Sequence, residues 1–213
     1  SAFSCASRMP VTRSWKRMAS SDRYIDDHGS EFKPTSFVVP EGLVQFKFEK
    51  TGLYMIDVVP YEVTKHKGEP GGNPIMQEDD VGSLWYERTF YVHKDMGPDS
   101  RNSYCCLRKN WQEPCPSCEF VSSLGPDTPK EVKNPLREKD RQLFLFYDQT
   151  SKESRAKGLQ LYECAHYMSF GELLKTTLEA CRLGDPDSPA LNFADPEDGM
   201  SLAITVKKTS YSN

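Results

Sequence analysis

The sequence predicts a mainly β protein: a small antiparallel barrel with a cysteine-rich insertion and one late helix. Short runs rich in β-branched and aromatic residues recur from residue 43 onward, and loops containing Gly, Pro and charged residues separate them. A single long segment with helical periodicity follows most of these runs. Four of the seven cysteines fall between residues 103 and 118, between two predicted strands. Together these features predict a barrel of five or six short strands.

The predicted strands follow from local patterns. Residues 43–63 (LVQFKFEKTGLYMIDVVPYEV) hold two β-rich runs on either side of residues 51–52, which have the composition of a turn. The two runs are therefore expected to pair with each other. Residues 83–92 (SLWYERTFYV) alternate as a strand does, and this strand is expected to end near His93. Three further strands are predicted at QLFLFYD, KGLQLYE and SLAITVKK.

The late helix has both a start signal and a stop signal. Ser169 followed by Glu172 is the pattern of a capping box, and Gly184 fits the end of the helix. Five residues at helical spacing are expected to share one apolar face: Phe170, Leu173, Leu174, Leu178 and Cys181. This segment is the one helix that the sequence predicts.

Composition excludes several classes of protein. Of the 213 residues, 37% are apolar and 27% are charged, which is ordinary for a globular domain. No apolar run approaches the ~20 residues that span a bilayer, so no membrane association is expected. The first residues lack the apolar run of a secretory signal, which favours a reducing, cytoplasmic setting. The net charge of −4 argues against a protein that coats polyanions indiscriminately.

Charge and periodicity divide the chain into two regions. Residues 1–40 have little apolar periodicity, and residues 1–23 carry five basic side chains and one acidic side chain. Residues 1–40 are predicted to form a basic, flexible N-terminal arm. Residues 41–213 are predicted to form the folded core, in which residues 184–199 make an acidic patch.

The cysteine cluster has the spacing of a metal site. Cys115 and Cys118 form a CxxC knuckle, in which two thiolates reach one ion. The nearest further ligands are His93 and either Cys105 or Cys106; adjacent residues of an extended segment point to opposite sides, so only one of this pair is expected to bind. Spacing alone barely discriminates between the two. The remaining cysteines lie far away, which argues against a disulfide framework: Cys5, Cys164 and Cys181.

One nitrogen and three sulfurs leave no open position for water, which is typical of a structural site rather than a catalytic one. Two other interpretations remain. The CxxC could be a redox pair, although the thioredoxin-like context of such pairs is missing from the sequence around it. The cysteines could also be small buried hydrophobic residues, with His93 at the surface.

Candidate nucleic-acid contacts lie beside this cluster. Trp111 stands between the two cysteine half-sites and follows Arg108 and Lys109. Aromatic side chains interleaved with basic residues suit single-stranded nucleic acid, because unpaired nucleobases stack on the rings and the phosphates contact the cations. Further candidates lie downstream and on the predicted strand before His93: Arg137, Lys139, Arg141, Tyr86 and Arg88. The competing interpretation is that the strand aromatics are core residues and the charges form a solvated face.

Four segments resemble one known family. In chain order they are YMIDVVPYEV, LWYERTFYVH, CLRKNWQEPCPSCEF and KGLQLYE. They are similar to segments of the single-stranded DNA-binding proteins of tailed bacteriophages, the class typified by the helix-destabilising protein of T-even phages. The resemblance covers roughly residues 54–213, and the His and CPxC part is the most specific. The family combines an OB-fold barrel with an inserted zinc subdomain, and single-stranded DNA lies in the cleft between them.

The resemblance implies an OB-fold core over residues 41–213 with a zinc subdomain at about residues 93–125. It implies one structural zinc ion held by His93, Cys115, Cys118 and a third cysteine. The short basic run before the aromatic favours Cys106 as this third cysteine. The resemblance also implies DNA contacts along the basic link, residues 137–141.

The resulting expectation is a sequence-tolerant protein that protects and extends single-stranded DNA in phage DNA replication, recombination and repair, in the cytoplasm of an infected bacterium. Its expected partners are single-stranded DNA, further copies of itself along the strand, and replisome proteins. No enzymatic activity is expected; a zinc deaminase needs H-x-E, whereas Lys94 and Asp95 follow His93. The alternative is a zinc-ribbon protein-interaction module without a DNA function.

Overall fold

The computed structural model describes residues 39–97, 102–165 and 170–207. Nearly all of the predicted N-terminal arm, residues 1–40, and the predicted capping residue Ser169 lie outside these ranges. The described strands are β1 Val44–Gln45, β2 Gly52–Val59, β3 Tyr61–Glu62, β4 Leu84–Trp85, β5 Arg88–Met96, β6 Asn102–Cys105, β7 Lys139–Asp148, β8 Leu159–Ala165 and β9 Leu202–Val206. The described helices are α1 Leu107–Trp111, α2 Pro116–Ser123, α3 Lys130–Leu136, α4 Lys152–Ala156 and α5 Phe170–Gly184, with 3-10 turns at Glu78–Asp80 and Pro189–Asn192.

The sheet is organised around β7. Side chains along this strand alternate between buried and half-buried positions, as in a strand with one face on a core. One edge of β7 pairs with β8, while the first half of the other edge pairs with β5 and the second half with β2. With β1 beside β8, β9 beside β2 and β6 beside β5, seven strands form one sheet that curls into a half-barrel. β3 and β4 form a separate two-stranded sheet.

The prediction of a mainly β fold is confirmed, but the predicted strand pairing is wrong in one place. β1 and β2, on either side of residues 51–52, do not pair with each other; β1 runs parallel to β8, and β2 pairs with β7 and β9. The sheet is therefore mixed rather than antiparallel. Packing accounts for this choice, because Phe46, directly after β1, places its buried ring against those of Phe146 and Tyr162.

The predicted closure and helix count also need correction. Among the described residues no ladder joins β1 to β9, so the sheet stays open instead of closing into a barrel. α1, α2 and α3 lie between β6 and β7, and α4 lies in the predicted loop between β7 and β8, so α5 is not the one helix. Each of these four has eight residues or fewer, too few for a recognisable apolar period. None of the described helices is long and apolar enough to cross a bilayer.

An aromatic core fills the inner side of the curled sheet. Its rings meet mainly edge to face, and α5 covers them through Phe170 and Leu174. Leu173, predicted on the same face, is instead 61% exposed. The helix approaches the sheet closely at Gly171, where a Cβ would lie 1.8 Å from Oε1 of Gln142. A larger residue at this position would require the buried Gln142 side chain to move.

The predicted strand at residues 83–92 is divided into β4 and β5. The break falls at Tyr86 and Glu87, and β5 then continues past His93 to Met96. The strand therefore runs from the aromatic core to the cysteine-rich segment, where it places His93 among the helices that follow β6.

Candidate metal centre

Four buried side chains converge between β5 and the helices α1 and α2. They are those of His93, Cys106, Cys115 and Cys118, and one ligand atom from each lies within 4.8 Å of all the others. Nε2 of His93 is 3.4 Å from Sγ of Cys115 and 3.5 Å from Sγ of Cys118. Sγ of Cys106 is 3.4 Å from Sγ of Cys118. This buried cluster of one histidine and three cysteines is compatible with a single metal ion.

The imidazole of His93 is oriented by a backbone carbonyl. Nδ1 lies 3.1 Å from the carbonyl oxygen of Leu136, at the end of α3. A carbonyl oxygen only accepts hydrogen bonds, so Nδ1 carries the proton and Nε2 of the neutral ring presents its lone pair to the cysteines. The ring is 2% exposed. His93 is therefore fixed in the tautomer that a metal ligand needs.

The cysteines occupy helix starts. Cys106 is the N-cap of α1, and its sulfur accepts a hydrogen bond from the backbone N–H of Lys109 at 3.4 Å. Cys115 is the N-cap of α2, with Pro116 at the first helical position, and Cys118 lies in the first turn. The exposed N–H groups and dipole of a helix start favour negative charge, so this arrangement suits thiolates.

The thiol pKa values show how unevenly the cluster ionises. Burial, together with hydrogen bonds and charge from Cys106 and Cys115, raises the pKa of Cys118 to about 12. Burial also raises the pKa of Cys106. At Cys115 burial acts in the same direction, but hydrogen bonds from the backbone N–H groups of Cys118, Leu107 and Arg108 outweigh it and lower the pKa to about 6. Ionisation of all three thiols at this spacing therefore requires a cation between them.

The geometry fits a tetrahedral ion. With metal–sulfur bonds of about 2.3 Å, the sulfurs around such an ion lie about 3.8 Å apart. Three of the ligand-atom separations are 3.4 to 3.5 Å, close to this value, and all of them are within 4.8 Å, so small movements would admit the ion. Imidazole nitrogen and thiolate sulfur are also the ligands that zinc takes in structural sites. Four protein ligands leave no open position for substrate.

The structure distinguishes between the adjacent cysteines 105 and 106. Cys106 is fully buried and contributes its sulfur to the cluster. Cys105 ends β6, is half-buried and is not part of the cluster. Burial raises its pKa, and the negative charge of Glu163 adds to the effect. The alternation of side chains along an extended segment, which the sequence suggested, thus separates the two thiols.

A residue that the sequence gave no reason to single out connects α1 to β5. The side chain of Asn110 is buried, and its Oδ1 accepts a hydrogen bond from the backbone N–H of Tyr91 at 3.0 Å. Its Nδ2 donates to the carbonyl oxygens of Tyr91 at 2.8 Å and Cys106 at 2.9 Å. No local signal identifies this role, because Asn110 stands between Lys109 and Trp111 in a stretch that looks exposed.

Two basic stretches meet beside the cluster. Arg108 and Lys109 are exposed on α1, and Nζ of Lys109 lies 3.7 Å from Oε1 of Glu138. Arg137 is exposed and Lys139 is half-buried, on either side of this glutamate. The same Nζ lies 5.7 Å from the ring centroid of Tyr91, and the half-buried Trp111 ends α1. Five predicted DNA contacts therefore lie on the elements around the cluster: Arg108, Lys109, Trp111, Arg137 and Lys139.

Three other predicted contacts are engaged within the fold. Arg141 donates from Nε to Oε1 of Glu163 at 2.7 Å, and both side chains are largely buried. Arg88 donates from Nη2 to the carbonyl oxygen of Gly71 at 2.5 Å. Tyr86 packs against the core, with its ring centroid 4.8 Å from that of Phe193, and burial raises its pKa to about 12. The charge of Arg141 is thus already compensated.

Comparison of the chain with protein-family models, with curated proteins and with solved structures gives no match. The function has to be argued from the side chains and their arrangement.

Proposed function

We propose that this chain is a sequence-tolerant single-stranded DNA-binding protein whose contact surface is held in place by one structural zinc ion. The observation that supports this most is the meeting of two basic stretches next to the cysteine cluster. Lys109 and Glu138 are 3.7 Å apart, and Arg108, Arg137 and Lys139 flank them. These four basic side chains outnumber the two acids beside them, Glu138 and Asp140, and give a local positive excess on a chain whose net charge is −4. Phosphate groups are attracted to such a surface, and a strongly acidic partner is favoured over a neutral one.

Zinc would connect both stretches to the same strand. Cys106 is the N-cap of α1, the helix that carries Arg108 and Lys109. The ring of His93 is hydrogen-bonded to the carbonyl oxygen of Leu136, which directly precedes Arg137. An ion bound by His93 and the three cysteines would therefore fix α1 and the start of β7 relative to β5. Its role is structural, because the protein fills all four coordination positions. This supports binding rather than catalysis.

Trp111 supplies the aromatic part of the surface. It ends α1, is half-buried, and follows the basic residues Arg108 and Lys109 of this helix. A partly exposed indole beside cations suits an unpaired base, since every base has a face that can stack. Such a surface selects single strands over duplexes, in which the base faces are already stacked, and it does not read sequence.

The broader parts of the proposal follow the resemblance. The curled sheet would be an OB-fold core, the helices α1 to α3 would belong to its zinc subdomain, and the protein would act in phage DNA replication, recombination and repair. Partners would be single-stranded DNA, neighbouring copies on the same strand, and replisome proteins. The curled half-barrel and the cysteine cluster beside it support this proposal.

Direct titration with labelled oligonucleotides tests the proposal. A homopolymeric strand and a mixed strand of equal length should bind the zinc-loaded chain similarly, while the matching duplex should bind much more weakly. Affinity should fall with salt, with a log-log slope of about −0.7 for each phosphate contact. Lys109→Met should reduce this slope. Lys175→Met on the exposed face of α5 serves as its control, because it removes one lysine charge away from the cluster.

One observation favours the alternative, a zinc-dependent protein-interaction module. Phe120 on α2 and Val132 on α3 are 56% and 49% exposed, and exposed apolar side chains are typical of protein contacts. A zinc-loaded chain that binds no oligonucleotide at any salt concentration would overturn the DNA proposal and support this alternative.

A further inference from the structure

A cleft lies beside the surface described above. It has a volume of about 230 Å³ and opens between β3, the segment that follows it, and the start of β5. Eight residues line it: Tyr61, Glu62, Val63, Thr64, Lys65, Gly71, Asn73 and Arg88. Two of these carry positive charge, and one, Glu62, is an exposed acid. The cleft is therefore mainly polar and has a basic bias.

Arg88 enters this cleft as a cation without a counter-ion. Its guanidinium donates to the carbonyl oxygen of Gly71, and no carboxylate of the described residues lies within ion-pair distance of it. The neighbouring acid Glu87 is engaged elsewhere, with its Oε1 accepting from Thr89 at 2.8 Å and Gln142 at 2.7 Å. Burial lowers the pKa of Arg88, while the hydrogen-bonded hydroxyl of Tyr61 acts in the opposite direction. A largely buried guanidinium with unused donors is an anion-binding group.

The other walls of the cleft are already arranged. The hydroxyl of Tyr61 donates to the carbonyl oxygen of Glu87 at 2.9 Å, and Nδ2 of the buried Asn73 donates to that hydroxyl at 2.7 Å. Lys65 is exposed at the rim, where its Nζ donates to the carbonyl oxygen of Pro70 at 3.0 Å. Its ammonium retains further donors. The cleft thus offers one partly buried cation and one exposed cation.

Gly71 connects the cleft to Trp111. Its carbonyl accepts from Arg88, and its N–H donates to the carbonyl oxygen of Asn110 at 2.8 Å. A Cβ at this position would lie 3.6 Å from the Trp111 indole, and its φ of +75° favours glycine. Arg88 and Trp111 therefore both lie next to Gly71.

We propose that this cleft binds a phosphate group, with Arg88 and Lys65 supplying the charge. In the proposed function, on which this assignment of the source rests, the phosphate is a diester of bound single-stranded DNA, and the adjoining base stacks on Trp111. A free nucleotide would present the same chemistry. The cleft thus adds a defined phosphate subsite to a surface otherwise made of exposed side chains.

Arg88→Met in the full, zinc-loaded chain tests the subsite, because methionine keeps most of the volume and removes the charge. The log-log salt slope for oligothymidylate binding should become less steep by about 0.7, the value for one phosphate. Affinity at low salt should fall about tenfold, as expected for a charged hydrogen bond. The matched control is Arg155→Met, since Arg155 on α4 is exposed and also donates to a backbone carbonyl, that of Gln149, at 3.3 Å. Its slope should equal that of the unmodified chain.

The outcomes separate the two proposals. If the unmodified chain binds oligothymidylate and a folded Arg88→Met variant keeps its slope and affinity, the subsite is overturned while DNA binding stands. If Arg88→Met does not fold, Lys65→Met at the rim replaces it, and an unchanged slope again overturns the subsite. If the unmodified chain binds no oligonucleotide, the proposed function fails, and titration with thymidine monophosphate decides the subsite. If the unmodified chain binds thymidine monophosphate and Arg88→Met abolishes this binding, the phosphate comes from a free nucleotide. If the unmodified chain does not bind thymidine monophosphate, the phosphate site is overturned.

Discussion

The two ends of β5 lie in regions that are held together in different ways. Near Phe90 the strand belongs to the curled sheet, whose core is a cluster of interlocking aromatic rings. At His93 it enters the cysteine cluster, where the buried apolar residues are the three cysteines themselves and Tyr91 is the partly buried residue packed against them. Burial of aromatic surface stabilises the first region, whereas the second has too little apolar surface to fold without another contribution.

Because of this difference, we expect the two regions to unfold separately. The sheet should depend on its rings and little on metal, while α1 to α3 should depend on metal. The proposed DNA surface lies in the metal-dependent region, so metal content and DNA affinity should change together. Each prediction below tests one side of the comparison.

Metal removal should have the largest effect. Structural zinc contributes roughly 10 kcal/mol or more to the folding of small sites, and the cysteine cluster has no apolar core to replace it. Hydrogen exchange measured with and without a strong chelator should show lost protection over residues 106–136 and retained protection in β2, β7 and β8. Equal loss of protection in both regions would show that they form one cooperative unit.

Truncation in the aromatic core should be the next largest change. Phe146 is fully buried and stacks on Tyr162 with ring centroids 4.9 Å apart, so Phe146→Ala should lower the free energy of unfolding by about 3 to 5 kcal/mol. Urea denaturation measures this. Leu173→Ala is the control, because this side chain is largely exposed and its loss should cost less than about 0.5 kcal/mol. Similar costs for both variants would contradict the described core.

Acid should weaken metal binding. Burial raises the pKa of Cys106 and Cys118, so both are protonated near pH 7 without metal, whereas Cys115, with its pKa lowered to about 6, is already ionised. Metal binding then releases about two protons. Lowering the pH from 8 to 7 should therefore weaken the free energy of metal binding by about 2.7 kcal/mol. Competition with a chromophoric chelator at several pH values measures this. Affinity independent of pH in this range would show that the thiols are not the ligands.

Loss of the Trp111 ring should have the smallest effect. Trp111→Ala should reduce affinity for single strands by about 1 to 3 kcal/mol, to a similar extent on homopolymeric and mixed strands. Fluorescence anisotropy with labelled oligonucleotides measures this. Trp111→Phe is the control because it keeps a stacking face, and it should retain most of the affinity. Unchanged affinity in Trp111→Ala would assign the indole to packing against Gly71 alone.

The sequence was most informative where the partners are close together in the chain. Cys115 and Cys118 meet the same site because three residues bring both sulfurs to one helix start, and the alternation of adjacent residues separates Cys106 from Cys105. His93 was found because it is the nearest histidine before the cysteines. Spacing therefore indicated the candidate metal cluster, while the choice of Cys106 over Cys105 depended on the resemblance.

The sequence was least informative about contacts between segments that lie far apart in the chain. The turn composition at residues 51–52 favoured a hairpin, but packing of Phe46 on distant rings pairs β1 with β8 instead. The pairing of Arg141 with Glu163 depends on the register of β7 and β8, which periodicity does not determine. For the same reason Asn110 and the Gly71 contact with Arg88 could not be anticipated, since both are hydrogen bonds between distant segments.

Native mass spectrometry of the freshly purified chain measures directly whether the cysteine cluster holds zinc. One zinc ion per chain should be present in the unmodified protein. Cys106→Ser should lose the ion, whereas Cys105→Val, at the neighbouring position outside the cluster, should keep it. An unmodified chain that is folded without zinc, or a variant pair with the reverse pattern, would contradict the assignment of His93, Cys106, Cys115 and Cys118 as a structural zinc site.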